Sequence, residues 1–223
     1  MPGDTHDDLL DRLRALDTCA LSDALNALGH EGVAYGLRGL TVPVRIAGRA
    51  VTVALGAPGH TPPSRHLCTA AVEASGAGEV IIVAAGGRLD AAGWGGILSR
   101  AATARGIDGV VVDGAARDID ESHELGLPVY ARAGVPRTAR GRLVETGWGQ
   151  PVAIGDLTVA TGDLVLADRS GVVFVPAAVA GEVLDRAEAI AAREAAMARR
   201  IADGEPVSTV MSADYETMLK ADA

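Results

Sequence analysis

Gly109-Val110-Val111-Val112-Asp113-Gly114-Ala115-Ala116-Arg117-Asp118-Ile119-Asp120-Glu121 is the stretch around which the chain is organised. The β-branched run Val110 to Val112, bounded by Gly109, reads as a buried strand. Gly114 is expected to turn the backbone sharply where the strand stops, a place where function often sits. Arg117 then stands directly before Asp118, with Asp120 and Glu121 close behind. One reading is a site: an anion-binding fork beside carboxylates suited to a hard metal ion. The other is a surface ion-pair cluster capping a helix.

Upstream, Glu79 to Ala85 reads as a strictly apolar strand, Gly86-Gly87 turns the chain, and Trp94 to Arg105 forms a helix ended by Gly106. With Val110 to Val112 this makes a β-α-β unit. Its right-handed crossover places both strands parallel, with their C-terminal ends on the side where functional loops gather.

Further out, Asp7 to Leu16 has helical spacing in Leu9, Leu10, Leu13 and Leu16, and a second helix is expected from an N-cap at Ser22-Asp23 to Gly29. Gly32 to Gly39 reads as loop. Two strands, Leu40 to Ile46 and Arg49 to Leu55, are expected to join at Ala47-Gly48. The Pro- and Gly-rich run Gly56 to Pro63 is a loop, followed by a helix over His66 to Ser75. His60 and His66 are candidate ligands, although a loop histidine is more often merely solvated.

Past the central stretch, Pro128 to Ala131 reads as a strand. Arg132 to Gly149 is a basic, Gly-rich segment suited to acidic substrates, to a solvated loop or to a subunit contact. Short strands follow at Val152 to Ile154, Leu157 to Ala160 and Asp163 to Val175, the last broken near Asp168. They suggest a β-rich half packed against the β-α-β half. Ala177 to Ala202 has the propensity of a long helix, and Ser212 to Leu219 that of a short amphipathic one. No linker or repeat divides the chain, so residues 1–223 are expected to form one α/β domain.

Composition excludes several classes of function. The net charge is -9 and aromatic residues make up 3% of the chain, with a pI near 5.0. Both features argue against nucleic acid as a partner. No apolar run reaches the ~20 residues needed to cross a bilayer, and the polar, acidic start is unlike a signal peptide. A cytoplasmic protein is expected. Cys19 and Cys68 form no CxxC pair and read as buried small hydrophobes. The single lysine, Lys220, lies near the C-terminus, a poor place for the desolvated amine of a Schiff-base mechanism. Neither a Walker-type GK[ST] triplet nor a glycine-rich opening for a nucleotide-like methyl donor is present.

Within these bounds Gly95-Gly96-Ile97-Leu98 gains meaning. A helix start has N–H groups without internal partners, and glycine lets an anion come close to them. The β-α-β unit brings this start beside Arg117, which can grip a carboxylate bidentately. Asp118, facing the same place, prefers Mg²⁺ or Mn²⁺. These parts suit a 2-oxo acid: its carboxylate on the helix start and Arg117, its keto oxygen on the metal, an enolate stabilised as a C–C bond breaks. The alternative is that Gly95-Gly96 simply permits tight helix–sheet packing.

The chain also resembles the RraA-like family, which includes regulator of ribonuclease activity A, 4-hydroxy-4-methyl-2-oxoglutarate aldolase and oxaloacetate decarboxylase. The matching pieces are Leu21 to Leu25, Gly48 to Val53, Gly95-Gly96 with Ala101 and Gly106, Gly109 to Asp118, Pro128 to Arg132, Gly162 to Asp168 and Gly171 to Pro176. The resemblance implies a β/β/α swivelling-domain fold assembled as a trimer, or a hexamer of two trimers. The C-terminal helices, about 177–223, would pack on a neighbouring subunit. It further implies a divalent-metal-dependent lyase that releases pyruvate from a 4-hydroxy-2-oxo acid and decarboxylates oxaloacetate, or else a non-catalytic regulator that binds a ribonuclease. Pyruvate would bind Gly95, Gly96, Ile97, Leu98 and Arg117. The metal, Mg²⁺ or Mn²⁺, would be held by Asp118, with Glu121 acting through water and Glu194 approaching from the neighbouring subunit. Some aldolases of the family carry aspartate where Gly96 stands, which leaves the proton-shuttling group open here.

Overall fold

The computed structural model describes residues 6–41, 45–59 and 65–211. In chain order the elements are α1 (His6–Ala15), α2 (Thr18–Ala27), β1 (Val33–Ala34), β2 (Arg38–Gly39), β3 (Ile46–Gly56), α3 (Thr69–Ala74), β4 (Glu79–Trp94), α4 (Gly96–Ala104) and β5 (Gly109–Ala116). There follow α5 (Ile119–Glu124), β6 (Val129–Gly134), β7 (Val144–Trp148), β8 (Val152–Ile154), β9 (Leu157–Val159), β10 (Leu164–Ala167), β11 (Val172–Val175), α6 (Ala180–Ala202) and α7 (Val207–Val210). The expected helix at Ser212 to Leu219 lies outside the described residues, as does His60.

One nine-stranded sheet runs β1-β11-β10-β3-β4-β5-β6-β2, with β7 pairing with β3 beside this path. The strands β3, β4, β5 and β6 are mutually parallel, so the β-α-β reading holds. The C-terminal strands do not form a separate half. β10 pairs directly with β3, and β8-β9 is the one hairpin set apart.

Alternation along the central strands divides the interior. Ile81, Val83, Val110 and Val112 face a core completed by Leu98 and Ala102 of α4 and by Val72 of α3. Val80, Ile82 and Val111 face the other side, with Phe174, Tyr130 and the hairpin residues Val152, Ile154 and Val159. A third core joins Leu13, Leu21 and Leu25 to Leu164, Val175, Val183 and Leu184, so the first half of α6 packs on α1 and α2 of its own chain. The buried residues of α6 end at Ile190.

Several boundaries differ from expectation for identifiable reasons. α2 starts a turn before Ser22, because the Asp17 carboxylate accepts from the Ala20 N–H at 2.8 Å and caps the helix. Cys19 is exposed on this helix, and only Cys68 is buried. Ala47-Gly48 is no turn but the interior of β3: a Cβ on Gly48 would lie 2.8 Å from Val80 and 2.9 Å from the Gly78 carbonyl. Gly114 likewise continues β5, since a Cβ there would meet Ala85 at 2.8 Å and the Arg88 carbonyl at 3.0 Å. These glycines mark close approach of two strands. Gly86 and Gly87, at φ +62° and +72°, bulge β4 instead of ending it, and β4 runs on to Trp94. Accordingly α4 begins at Gly96 and not at Trp94, and α3 begins at Thr69 and not at His66. Short strands β1 and β2 occupy part of the expected loop Gly32 to Gly39.

Candidate active site

β5 delivers Arg117 and Asp118 to the end of the sheet where α4 starts. The Arg117 N–H donates to the Trp94 carbonyl at 3.0 Å, which ties the exits of β5 and β4 together. Asp118 sits in the left-handed region, φ 55° and ψ 43°. Among the described residues only Cys68 shares a positive φ without being glycine. Such strain persists where the surroundings over-determine it, and it clusters at functional sites.

The Asp118 carboxylate turns back onto the helix start. Its Oδ2 accepts from the Gly96 N–H at 2.9 Å and lies 3.2 Å from Arg117 Nε. The glycines are needed for this contact. A Cβ on Gly95 would sit 3.0 Å from Asp118 Oδ2, and one on Gly96 only 1.8 Å from Glu121 Oε2. The Asp118 and Glu121 carboxylates, with the Arg117 stem 3.2 Å from a Cβ on Gly95, fill the room left by the missing side chains. Glu121 is also held by Arg100 Nε.

Beneath lies a buried polar chain that sequence reading missed. Trp94 Nε1 donates to Ser99 Oγ at 2.9 Å, Ser99 Oγ is 2.8 Å from Ser122 Oγ, and Ser122 Oγ donates to the Asp118 carbonyl at 3.1 Å. It locks α4 to α5 and fixes the Asp118 backbone. A serine inside a helix gives no sequence signal for such a role.

Gly95, Gly96, Ile97, Leu98, Arg117 and Asp118 all line one cavity of about 440 Å³. His66, Leu67, Thr69, Thr138, Ala139 and Arg140 also line it. Because the Gly96 N–H is taken by Asp118, the helix-start donors left to a ligand are those of Ile97 and Leu98. The sequence-derived substrate-binding residues are thus brought together. Glu194 is not among the cavity residues of its own chain. It lies on α6, where burial and the charges of Asp17 and Asp23 raise its carboxyl above the usual range.

No cluster of three or more His, Cys, Asp or Glu side chains that could hold a metal occurs among the described residues. The donor set nevertheless fits a hard cation that keeps most of its waters, for which one or two carboxylates suffice. Asp118 Oδ1 accepts no hydrogen bond among the described residues, while Oδ2 is fixed by Gly96 and Arg117. Glu121 Oε2 lies over Gly96, 1.8 Å from where a Cβ would sit.

A cavity at the ends of parallel strands, lined by a helix start, an arginine and a carboxylate, stands where open α/β sheets place their ligand sites. The chain belongs to the RraA-like family: the family model described as Aldolase/RraA matches residues 18–174. A Halalkalibacterium halodurans protein, named provisionally as a 4-hydroxy-4-methyl-2-oxoglutarate aldolase, is 31% identical over 88% of this chain and 90% of its own. A crystal structure of an uncharacterised protein from Pseudomonas syringae pv. tomato superposes with a TM-score of 0.84 at 32% identity, covering 92% of this chain and 98% of that one. Streptomyces coelicolor RraAS2, described as an unusual member of the RNase ES inhibitor RraA family, gives a TM-score of 0.78 at 27% identity over 88% of this chain and 97% of that one. The fold is therefore the α/β fold of RraA-like proteins, with its C-terminal helix. One other curated relative, a Legionella pneumophila protein, is longer, and the chain spans 33% of its length; the match to a Methanocaldococcus jannaschii protein covers 56% of this chain and 60% of that one. No helix among the described residues is long and apolar enough to cross a membrane.

Proposed function

We propose that the protein is a divalent-metal-dependent lyase, a class II aldolase that cleaves a 4-hydroxy-2-oxo acid of the 4-hydroxy-4-methyl-2-oxoglutarate type to pyruvate, with oxaloacetate decarboxylation as a related activity. The observation that carries this reading is the joining of Gly96, Arg117 and Asp118 by a hydrogen bond and an ion pair at the wall of one cavity. A pure binding surface has no need of a strained aspartate held there.

In this reading the Arg117 guanidinium and the N–H groups of Ile97 and Leu98 hold the substrate carboxylate. Asp118 Oδ1 would hold Mg²⁺ or Mn²⁺, with Glu121 on its waters and Glu194 of a neighbouring subunit approaching them in a trimer or hexamer. A divalent cation held there would supply the positive charge that favours breaking the C–C bond. Leu67, Ala92, Trp94 and Leu98 give the cavity apolar walls that limit water. Arg117 and Asp118 fix each other, so the geometry is set before substrate arrives. We place the enzyme in the cytoplasm as a single-domain subunit.

The rival reading, a regulator that binds a ribonuclease, draws on the likeness to the Streptomyces protein. Pyruvate release from 4-hydroxy-4-methyl-2-oxoglutarate and from oxaloacetate, followed with Mg²⁺ and with EDTA, separates the two. Metal-dependent release supports the lyase. Absence of release from both, together with retention of a ribonuclease on the immobilised protein, supports the regulator.

A further inference from the structure

One stretch of the cavity wall is held from behind. Arg65, His66, Leu67 and Cys68 run between β3 and α3, and His66 and Leu67 border two cavities at once. One is the site already described; the other, of about 470 Å³, includes Arg65 and Glu145 and shares Ala139 and Arg140 as well. The segment is thus a partition between the two. Cys68, at its end, is buried and adopts φ +65° and ψ -6°, the left-handed region that a β-carbon disfavours.

What holds it there is Glu145. Its side chain is only 5% exposed. One oxygen accepts from the Cys68 N–H at 2.8 Å, and the other accepts from Arg65 Nη2 at 2.6 Å and Nε at 3.2 Å. Glu145 can reach the partition because the β3–β7 ladder shifts register between Ala54 and Leu55, and such irregularities re-aim side chains. A buried carboxylate that closes both ends of a four-residue segment is a costly feature to keep for a surface loop. The Cys68 thiol, raised by burial and by the nearby Glu145 charge, is a small apolar filler here and not a nucleophile. Of the two non-glycine residues at positive φ in the described structure, Asp118 lines the cavity and Cys68 lies between its lining residues Leu67 and Thr69.

We propose that Glu145 is a positioning residue: through the Cys68 amide and the Arg65 guanidinium it fixes the His66–Thr69 wall, and that wall selects the part of the substrate that lies beyond its pyruvyl group. The selective role rests on reading the Gly95–Leu98, Arg117 and Asp118 end as the 2-oxo acid end. The clamp itself rests on the hydrogen bonds alone.

The test uses Glu145→Ala, which removes both contacts, and Glu145→Gln, which keeps an acceptor for Cys68 and guards against a misfolded variant. In Glu145→Ala the KM for 4-hydroxy-4-methyl-2-oxoglutarate is expected to rise roughly tenfold, the usual scale for one lost charge-assisted contact. The inhibition constant for pyruvate stays unchanged, and Glu145→Gln falls between. A merely structural role would lower stability without parting these two constants. In a Cys19→Ser background, which removes the exposed thiol, Cys68 is expected to react much faster with an aromatic disulfide reagent in Glu145→Ala than with Glu145 present. An active variant in which KM and the pyruvate constant move together, or in which neither moves, overturns the selective role. Unchanged protection of Cys68 overturns the clamp. Failure of the native protein to release pyruvate from any 4-hydroxy-2-oxo acid instead sinks the lyase reading, and the selective role with it.

Discussion

β5 carries on its face a carboxylate, Asp113, paired with Arg132 of the neighbouring β6, and delivers a second arginine–carboxylate pair at its exit; the two pairs behave differently. Asp113 shares the face of Val111. Its side chain is 3% exposed, Arg132 Nε donates to Oδ1, and the Gly155 N–H donates to Oδ2 at 3.3 Å. That pair is closed: both oxygens are used, and no cavity reaches it among those that hold Arg117 or Glu145. Arg117 and Asp118 are 39% and 35% exposed and share one oxygen at 3.2 Å, with the second oxygen of Asp118 uncommitted among the described residues. Burial with full satisfaction makes a pair structural, while partial exposure beside a cavity leaves charge available to a ligand. The same two residue types, a few positions apart, are thereby separated into scaffold and site.

The sharpest way to break this contrast is to remove one member of each pair. Arg117→Ala is expected to lower kcat/KM for pyruvate release by roughly 10²–10³, the scale of a lost preorganised donor, with stability within about 0.5 kcal/mol of native. Steady-state kinetics alongside denaturant unfolding reads both quantities. Asp113→Ala should do the reverse. It leaves Arg132 without its carboxylate and costs about 3 kcal/mol, the low end of the range because Arg132 keeps some contact with water. The kcat/KM of the folded fraction stays native. Loss of turnover in folded Asp113→Ala would contradict the division into scaffold and site.

Smaller effects test the frame around the pairs. Asp168 links the β10–β11 turn to the start of α2: its carboxylate accepts from the Thr18 N–H at 3.0 Å and the Thr18 hydroxyl at 2.7 Å, and from the Ser170 N–H at 2.8 Å. Burial acts to raise its pKa, but these donors and the Arg45 charge outweigh it, so the net direction is downward. The stabilisation is present above the ordinary aspartate range and is lost as pH falls through the depressed value. Asp168→Ala is therefore expected to cost roughly 1.5–2 kcal/mol at neutral pH, and the gap to native should close in acid. Thermal unfolding across pH reads this directly. A gap that widens toward low pH would reverse the sign. Glu194 runs the opposite way. Burial, with Asp17 and Asp23, disfavours its ionised form. Glu194→Gln should stabilise the isolated chain by under about 1 kcal/mol at neutral pH, fading as Glu194 itself takes up a proton.

The sequence was most legible where one physical cause dominated. The runs Val80 to Val83 and Val110 to Val112 can only be buried strands, and the crossover rule then sets their parallel pairing. Arg117, Asp118 and Gly95 to Leu98 could be placed together from that topology alone. Glycine was the weak point. Gly48, Gly86, Gly87 and Gly114 read as turns, yet they serve close strand approach or a bulge inside continuing strands, a distinction that depends on neighbours far off in the chain. The start of α2 was misplaced because its cap, Asp17, is reinforced by Asp168 from the other end of the sequence. Ser99, Ser122 and Glu145 gave no local signal, since each acts through a partner outside its own element.

The central claim is that the open pair at the end of β5 is catalytic machinery. The most direct measurement is pyruvate release from 4-hydroxy-4-methyl-2-oxoglutarate by the native protein and by Asp118→Ala, each with Mg²⁺ and with EDTA. The expected result is metal-dependent release by the native protein and a loss of at least roughly 10³-fold in the variant, about 4 kcal/mol of transition-state stabilisation, at native-like stability. Full activity in Asp118→Ala, or native turnover that ignores EDTA, would contradict it.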